Sequence, residues 1–370
     1  MLIEIINLDP AADLSSDDKV SALDNLLRSH RERNHIVMIP RSSLKIISEY
    51  PSFSLDARKA IEELYDSTRE YKALVDKLSV ITKVDFSSTQ DVTNTKNGTQ
   101  DYITISYDFF LHSIRVQPTT LISENDTDHE MYLQIADGYL KSNSHLASVG
   151  CTFQKNCGYG SHISKVYCDY KDEYKFAFCL VDNDRKYPEA PLGSTAGKFN
   201  KCDFNVSGTV ELTLLSVREL ESLIPTEILE SLVCDGDYSS SFVDVLDKIR
   251  QLDIDSKGEF RKYFDHKDGI FLKDALKPRA KDFWKAFFKS ESNISIKDCF
   301  KTDECIDCGS CVKINGLGDK TLENSINLIK RVNKRNLIKN LPSTIKSEWH
   351  SIGNRAVSWG CTPHGRRARV

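Results

Sequence analysis

Two aspartates separated by one residue follow an uninterrupted apolar segment near the middle of the chain. Asp182 and Asp184 come directly after residues 176–181, which read Phe-Ala-Phe-Cys-Leu-Val. An apolar run of this length is typical of a strand covered on both faces, as in a parallel sheet. Open α/β sheets bind ligands at the carboxyl ends of their strands, and Mg²⁺ prefers oxygen ligands. The spacing therefore predicts that both aspartates share a divalent cation, although Asp-x-Asp after a strand also commonly shapes a turn.

A third carboxylate follows an earlier predicted strand. The strand over 119–123 ends just before Glu124, and an amphipathic helix is predicted over 127–140. If the strands before Glu124 and Asp182 are neighbours, Glu124 faces the same metal region. Nucleotide-sugar transferases also use Asp-x-Asp with a metal, but they do not require an upstream strand that ends in Glu. Phosphatases of the haloacid dehalogenase type are excluded, because Lys186 stands where they need Thr or Val.

The order of these signals resembles the TOPRIM fold of topoisomerases, primases and overcoming-lysogenization-defect nucleases. In that pattern a strand ends in Glu, an acidic residue starts the next helix, a glycine-containing loop follows, and a later strand ends in Asp-x-Asp. Here the matching elements are Glu124, Asp128, the loop 158–160 and the segment 182–184. Residues 218–223 further resemble the acidic segment of TOPRIM proteins from bacterial anti-phage systems. The resemblance covers less than a third of the chain, and it departs from the stricter form at Asn125, where a glycine commonly follows the Glu.

The resemblance implies an α/β fold with a TOPRIM-like parallel sheet flanked by helices, and with helix-rich N-terminal and C-terminal regions. It implies a metal-dependent endonuclease that hydrolyses the phosphodiesters of DNA or RNA by in-line attack of water. Asp182 and Asp184 would hold Mg²⁺ or Mn²⁺. Glu124 would act as general base or second-metal ligand, with support from Asp128. The weaker candidates for completing the metal site are Glu219 and Glu221.

The resemblance also implies partners. Such proteins in anti-phage defence often work beside an ABC- or SMC-like ATPase, and this chain has no Walker A motif, so a separate ATPase partner is implied. Arg185 and Lys186, directly after the aspartates, would either contact a phosphate of the nucleic acid or be ordinary surface charges. Two other interpretations stay open. One is a non-catalytic regulatory or nucleic-acid-binding subunit that uses a TOPRIM-like scaffold, and the other is a primase-like nucleotidyl transferase.

Four cysteines in the C-terminal third have a spacing suited to a metal. Cys299, Cys305, Cys308 and Cys311 form the pattern C-x5-C-x2-C-x2-C, and thiolates three residues apart on a turn can converge on Zn²⁺. A ferredoxin-type cluster is disfavoured, because Asn315 stands where a fourth Cys followed by Pro is expected. A structural Zn²⁺ and the absence of any metal both stay open.

Three predicted regions have to position these residues. The 370 residues are 40% hydrophobic and 28% charged, which is ordinary globular composition. Residues 1–115 are predicted to form a helix-rich domain with a β element. Residues 116–235 would form the TOPRIM-like catalytic domain, and residues 236–370 a helical region with the cysteines and a basic tail. In the middle region, Gly158 and Gly160 form either a tight turn or a phosphate-binding loop.

The chain has no run of eighteen apolar residues, no signal-peptide pattern and an odd count of eleven cysteines. We therefore expect a cytoplasmic protein with reduced thiols and no membrane segment.

The net charge is −4, but from Asn324 onward ten Lys/Arg accompany one acidic residue, so this part carries +9 and the remainder −13. This asymmetry predicts that nucleic acid docks there, with Trp349 and Trp359 available for base stacking. A basic face that contacts the acidic body is the alternative.

Overall fold

The computed structural model describes residues 1–89, 91–199, 204–234, 241–288 and 313–364, together with residues 299, 305 and 311. The chain divides into two compact units. The first unit comprises Met1–Leu180, Cys202–Thr213 and Trp349–Val370. The second unit comprises Val181–Lys201 and Leu214–Glu348.

The first unit begins with a five-stranded sheet of order β2-β1-β3-β5-β4, in which only the β4–β5 pair is antiparallel. Its strands are β1 (Leu2–Ile6), β2 (Ile36–Met38), β3 (Val80–Asp85), β4 (Thr93–Asn97) and β5 (Gln100–Ser106). Its helices are α1 (Pro10–Asp13), α2 (Asp17–Arg31), α3 (Arg41–Ser48) and α4 (Leu55–Lys72). This region therefore contains a complete parallel-dominated sheet, which is more β structure than the sequence predicted.

Local signals explain where these elements begin and end. The side chain of Ser16 caps α2 by accepting a hydrogen bond from the N–H of Lys19. The polar edge strand β4 is exposed throughout, which suits a strand with solvent on one side. Gly98, at φ +60°, makes the tight turn from β4 to β5 that the Asn-Gly sequence predicts.

The second sheet of the first unit has the order β10-β11-β9-β6-β8. Its strands are β6 (Thr120–Ser123), β8 (Gln154–Cys157), β9 (Ala177–Val181), β10 (Val206–Ser207) and β11 (Val210–Leu214). Strand β6 pairs in parallel with both β8 and β9, and all five residues of β9 are buried. Its connecting helices are α5 (Asp126–Ser142) and α6 (Ile163–Asp172). The predicted α/β class, with parallel-dominated sheets flanked by helices, is confirmed.

Backbone pairing and ion pairs hold the C-terminal residues of the chain within the first unit. Strand β14 (Cys361–Pro363) pairs with β7 (Val149–Cys151). In the preceding turns of helix α14 (Ser343–Gly360), Arg355 bridges Asp101 and Glu211 at 2.6 Å each. Glu211 is buried, so Arg355 supplies the cation that its carboxylate needs.

The second unit is mainly helical around an aromatic core. Its helices are α7 (Thr226–Cys234), α8 (Ser241–Asp255), α9 (Glu259–Tyr263), α10 (Leu272–Ala275), α11 (Lys281–Phe288), α12 (Thr321–Ile329) and α13 (Lys334–Asn340), with an antiparallel pair β12 (Gly269–Phe271) and β13 (Lys313–Asn315). The ring of Phe260 packs against Phe264 and Trp284, with centroid distances of 4.6 Å to Phe264 and 5.9 Å to Trp284. Among the described residues of the whole chain, no helix combines the length and apolarity that crossing a membrane requires.

Candidate functional site

The turn after β9 holds the two predicted aspartates in a fixed conformation. The buried side chain of Asn183 donates to the carbonyl of Leu215 at 3.1 Å and accepts from the N–H of Arg185 at 2.8 Å. Asp184 has φ +54°, a left-handed conformation that is uncommon for residues other than glycine, and its N–H donates to the carbonyl of Arg218. Backbone strain of this kind often accompanies function, because surrounding contacts must hold it in place.

Gly193 packs directly against Asp184. A Cβ atom at this position would lie 2.1 Å from Oδ2 of Asp184, closer than real side chains approach. The N–H of Gly193 donates to the carbonyl of Asn183 at 3.0 Å, so the following loop folds back on the turn. Sequence reasoning missed this glycine, whose only local signal is its place shortly after the Asp-x-Asp.

Glu219 and Glu221 are buried rather than solvated. They lie before and within a short 3₁₀ helix, Leu220–Leu223. Oε1 of Glu219 accepts from the N–H of His266 at 2.5 Å, and Oε1 of Glu221 lies 2.9 Å from Nζ of Lys267. Burial raises the pKa of Glu219 to about 7, and repulsion from Asp265 adds to the shift. Burial also raises the pKa of Glu221, with repulsion from Glu219 as the next cause.

Three consecutive residues that the sequence analysis did not single out, Asp265, His266 and Lys267, complete this neighbourhood. Asp265 pairs with Arg218 at 2.5 Å. Burial lowers the pKa of His266 to about 4, so its ring is neutral at neutral pH. Burial alone would lower the pKa of Lys267, but attraction to Glu221 and to other nearby carboxylates, including Asp182, raises it.

The same electrostatic interactions connect the Asp-x-Asp turn to these segments. Burial raises the pKa of Asp184, while attraction to Arg218 and Lys267 opposes that shift and Asp265 reinforces it. The second unit therefore assembles one set of interacting carboxylates from three separate segments. We call this set the acidic cluster: Asp182, Asp184, Glu219, Glu221 and Asp265.

Glu124 and Asp128 belong to the first unit, whereas the acidic cluster is formed by residues of the second unit. Glu124 follows β6, which is a parallel neighbour of β9, as the sequence hypothesis required. Oδ2 of Asp128 accepts from the N–H of Asn125 at 3.0 Å, so this side chain caps helix α5. The convergence of Glu124 and the two aspartates on one cation stays a prediction.

Within the ranges that the structure describes, no three His, Cys, Asp or Glu side chains form a group able to hold a metal ion. Mg²⁺, however, usually takes only one or two protein carboxylates and completes its octahedral shell with water and substrate phosphate. The carboxylates of the acidic cluster are partly desolvated and repel one another. Metal binding at this cluster stays a prediction.

The predicted zinc site falls partly outside the described residues, which exclude Cys308. Of its other three members, Cys305 is exposed, and Cys299 and Cys311 are half-buried. Sγ of Cys311 accepts a hydrogen bond from the N–H of Lys273 at 3.2 Å. Zinc ligation by these thiols stays a prediction.

The loop 158–160 has a conformation that explains both glycines without a ligand. A Cβ at Gly158 would lie 2.4 Å from Cα of Ile163, and Gly160 has φ +66°. Close packing and a left-handed backbone each require glycine. These observations favour the tight-turn interpretation.

The base-stacking role expected for the C-terminal tryptophans is wrong. Trp349 is 1% exposed and Trp359 is 0% exposed, and the indole N–H of Trp359 donates to Glu211. Both rings belong to the core, so neither is available to a nucleobase.

No family model, curated protein or solved structure matches this chain.

Proposed function

We propose that this protein is a divalent-metal-dependent nuclease that hydrolyses nucleic-acid phosphodiesters, and that it serves in anti-phage defence. The observation that carries the proposal is the acidic cluster, which places interacting carboxylates beside the cations Arg218 and Lys267. Carboxylates that bind a hard cation and cations that bind phosphate are the two components that phosphodiester hydrolysis needs. The resemblance of the Asp-x-Asp pattern to TOPRIM nucleases provides the reaction class.

Asp182 and Asp184 would hold the metal, and water and substrate phosphate would complete its coordination shell. When bound, Mg²⁺ or Mn²⁺ polarises a phosphoryl oxygen and favours ionisation of a water nucleophile. The strained turn and Gly193 fix the direction of the Asp184 carboxylate before substrate arrives.

The cations of the site have different environments, which suit different tasks. The side chain of Arg218 is 15% exposed and paired with Asp265, so it would hold the Asp265 carboxylate in place within the cluster. The side chain of Lys267 is 43% exposed, so its ammonium group can contact both Glu221 and a phosphate at the surface. Glu219, with a pKa of about 7, can hold or release a proton near neutral pH, as general acid–base catalysis requires.

The direct test is incubation of the purified protein with labelled duplex DNA and with total RNA, in Mg²⁺, in Mn²⁺ and in chelator. We expect metal-dependent cleavage that is lost in Asp182→Asn and Asp184→Asn, since each removes one charged ligand but keeps the side-chain shape. Asp282→Asn, at an exposed position of α11 in the same unit, is the matched control and should cleave normally. Cleavage that survives both site substitutions refutes the proposed site.

A non-catalytic nucleic-acid-binding subunit is the second candidate. It is favoured by the internal pairing of the cluster, in which Lys267 pairs with Glu221 and the N–H of His266 donates to Glu219. Under this alternative the protein binds nucleic acid equally well with metal and with chelator, and no product forms in either.

A further inference from the structure

The second unit exposes a row of cations at the turn between α12 and α13 and along α13. Arg331 lies in the turn, Arg335 and Lys339 lie on the helix, and all three are exposed. We call these three residues the basic ridge. From Asn324 to Ser347 the chain contains no acidic residue.

The structure separates the ridge from the other cations of the C-terminal region. Lys334 is 7% exposed, and Arg355 in the first unit is committed to Asp101 and Glu211. By contrast, among the residues that the structure describes, no carboxylate forms an ion pair with Arg331, Arg335 or Lys339. Among the described cations of this region, Arg331, Arg335 and Lys339 are thus exposed and have no ion pair with a described carboxylate.

The ridge also has a fixed backbone. The side chain of Asn333 caps α13 by accepting from the N–H of Asn336 at 3.2 Å, and Leu337 and Ile338 anchor the opposite face in the core. Arg335 and Lys339 are one helical turn apart, which places them about 6 Å from each other along the helix axis. A rigid series of cations at this spacing suits a regular row of phosphates.

We propose that the basic ridge is a docking surface for the sugar–phosphate backbone of duplex DNA. Charge complementarity indicates a polyanion, and the duplex is favoured because its phosphates are the denser array. Single-strand binding surfaces combine cations with aromatic side chains for base stacking, whereas residues 320–348 contain no aromatic residue. The inference rests on the proposed function in that it names the substrate class, but docking is measurable without cleavage.

The test is fluorescence anisotropy with labelled duplex DNA in chelator, over a series of salt concentrations, using the full chain. The triple variant Arg331→Gln, Arg335→Gln, Lys339→Gln should bind more weakly and should lower the slope of log affinity against log salt by about 2.7, or about 0.9 per lost phosphate contact. Lys273→Gln, Lys277→Gln, Arg279→Gln is the matched control, because it removes the same charge from exposed positions of the same unit. This control should keep the wild-type slope.

An unchanged slope in the ridge variant, or an equal loss in the control variant, overturns the proposal. Single-stranded DNA and duplex RNA are run in parallel, and a ridge-dependent preference for either one overturns the assignment to duplex DNA. If wild-type protein docks through the ridge but cleaves nothing, the proposed nuclease function fails while the docking surface stands.

Discussion

Replacement of Glu219 by Gln tests the electrostatic description of the acidic cluster. Burial and repulsion from Asp265 raise the pKa of Glu219 from 4.5 to about 7. The folded chain therefore holds this proton more tightly than the unfolded chain does. The contribution of Glu219 to stability consequently falls as the pH rises from about 4.5 to about 7, and the loss is complete above that range.

The size of the effect follows from the shift. Because one pKa unit corresponds to about 1.4 kcal/mol, the raised pKa of Glu219 lowers the free energy of unfolding by about 3 kcal/mol at pH 8 and by about 1 kcal/mol at pH 5. Gln keeps an oxygen that can accept from the N–H of His266 and carries no charge. Glu219→Gln should therefore be more stable than wild type at pH 8 by up to about 3 kcal/mol, and the advantage should shrink toward pH 5.

Urea denaturation followed by tryptophan fluorescence measures this difference, since Trp284 is buried in the same unit. Glu227→Gln removes the same charge from an exposed position of α7 and is the control. The reasoning is refuted if Glu219→Gln gains no stability at pH 8 relative to pH 5, or if the control shows the same gain.

Four further outcomes are expected. Gly193→Ala should lower the melting temperature and abolish cleavage, since its Cβ would meet Asp184 at 2.1 Å, whereas Gly197→Ala, with open space around it, should do neither. Arg355→Met should reduce the free energy of unfolding by about 3 kcal/mol, because it leaves the buried carboxylate of Glu211 without its cation. Arg28→Met, at an exposed ion pair, should change the free energy of unfolding little. Millimolar Mg²⁺ or Mn²⁺ should raise the melting temperature of wild type but not of Asp184→Asn; equal shifts would contradict metal binding at the cluster. Iodoacetamide should label exposed Cys168 well before Cys151 and Cys361, whose pKa values burial raises, as peptide mass spectrometry would show.

Several elements were predictable because their signals are local. The apolar run 176–181 gave the buried strand β9, and the residues after it gave the turn that presents Asp182 and Asp184. The N-terminal sheet was harder to predict, because β1 is a short apolar segment that suits a strand or a buried helix equally well. The parallel pairing of β1 with β2 and β3 joins segments far apart in the chain, and no turn sequence indicates it.

The sequence by itself determined the residue types that can do chemistry: an Asp-x-Asp after an apolar strand, two glutamates in 219–221, and a basic C-terminal region. The tertiary structure determined the burial, pairing and exposure of these side chains. It buried Glu219 against His266, placed Lys267 beside Glu221, and left Arg335 exposed. The physical reason is that desolvation and Coulomb interactions depend on distances in space, and these distances are set by segments that lie far apart in the sequence.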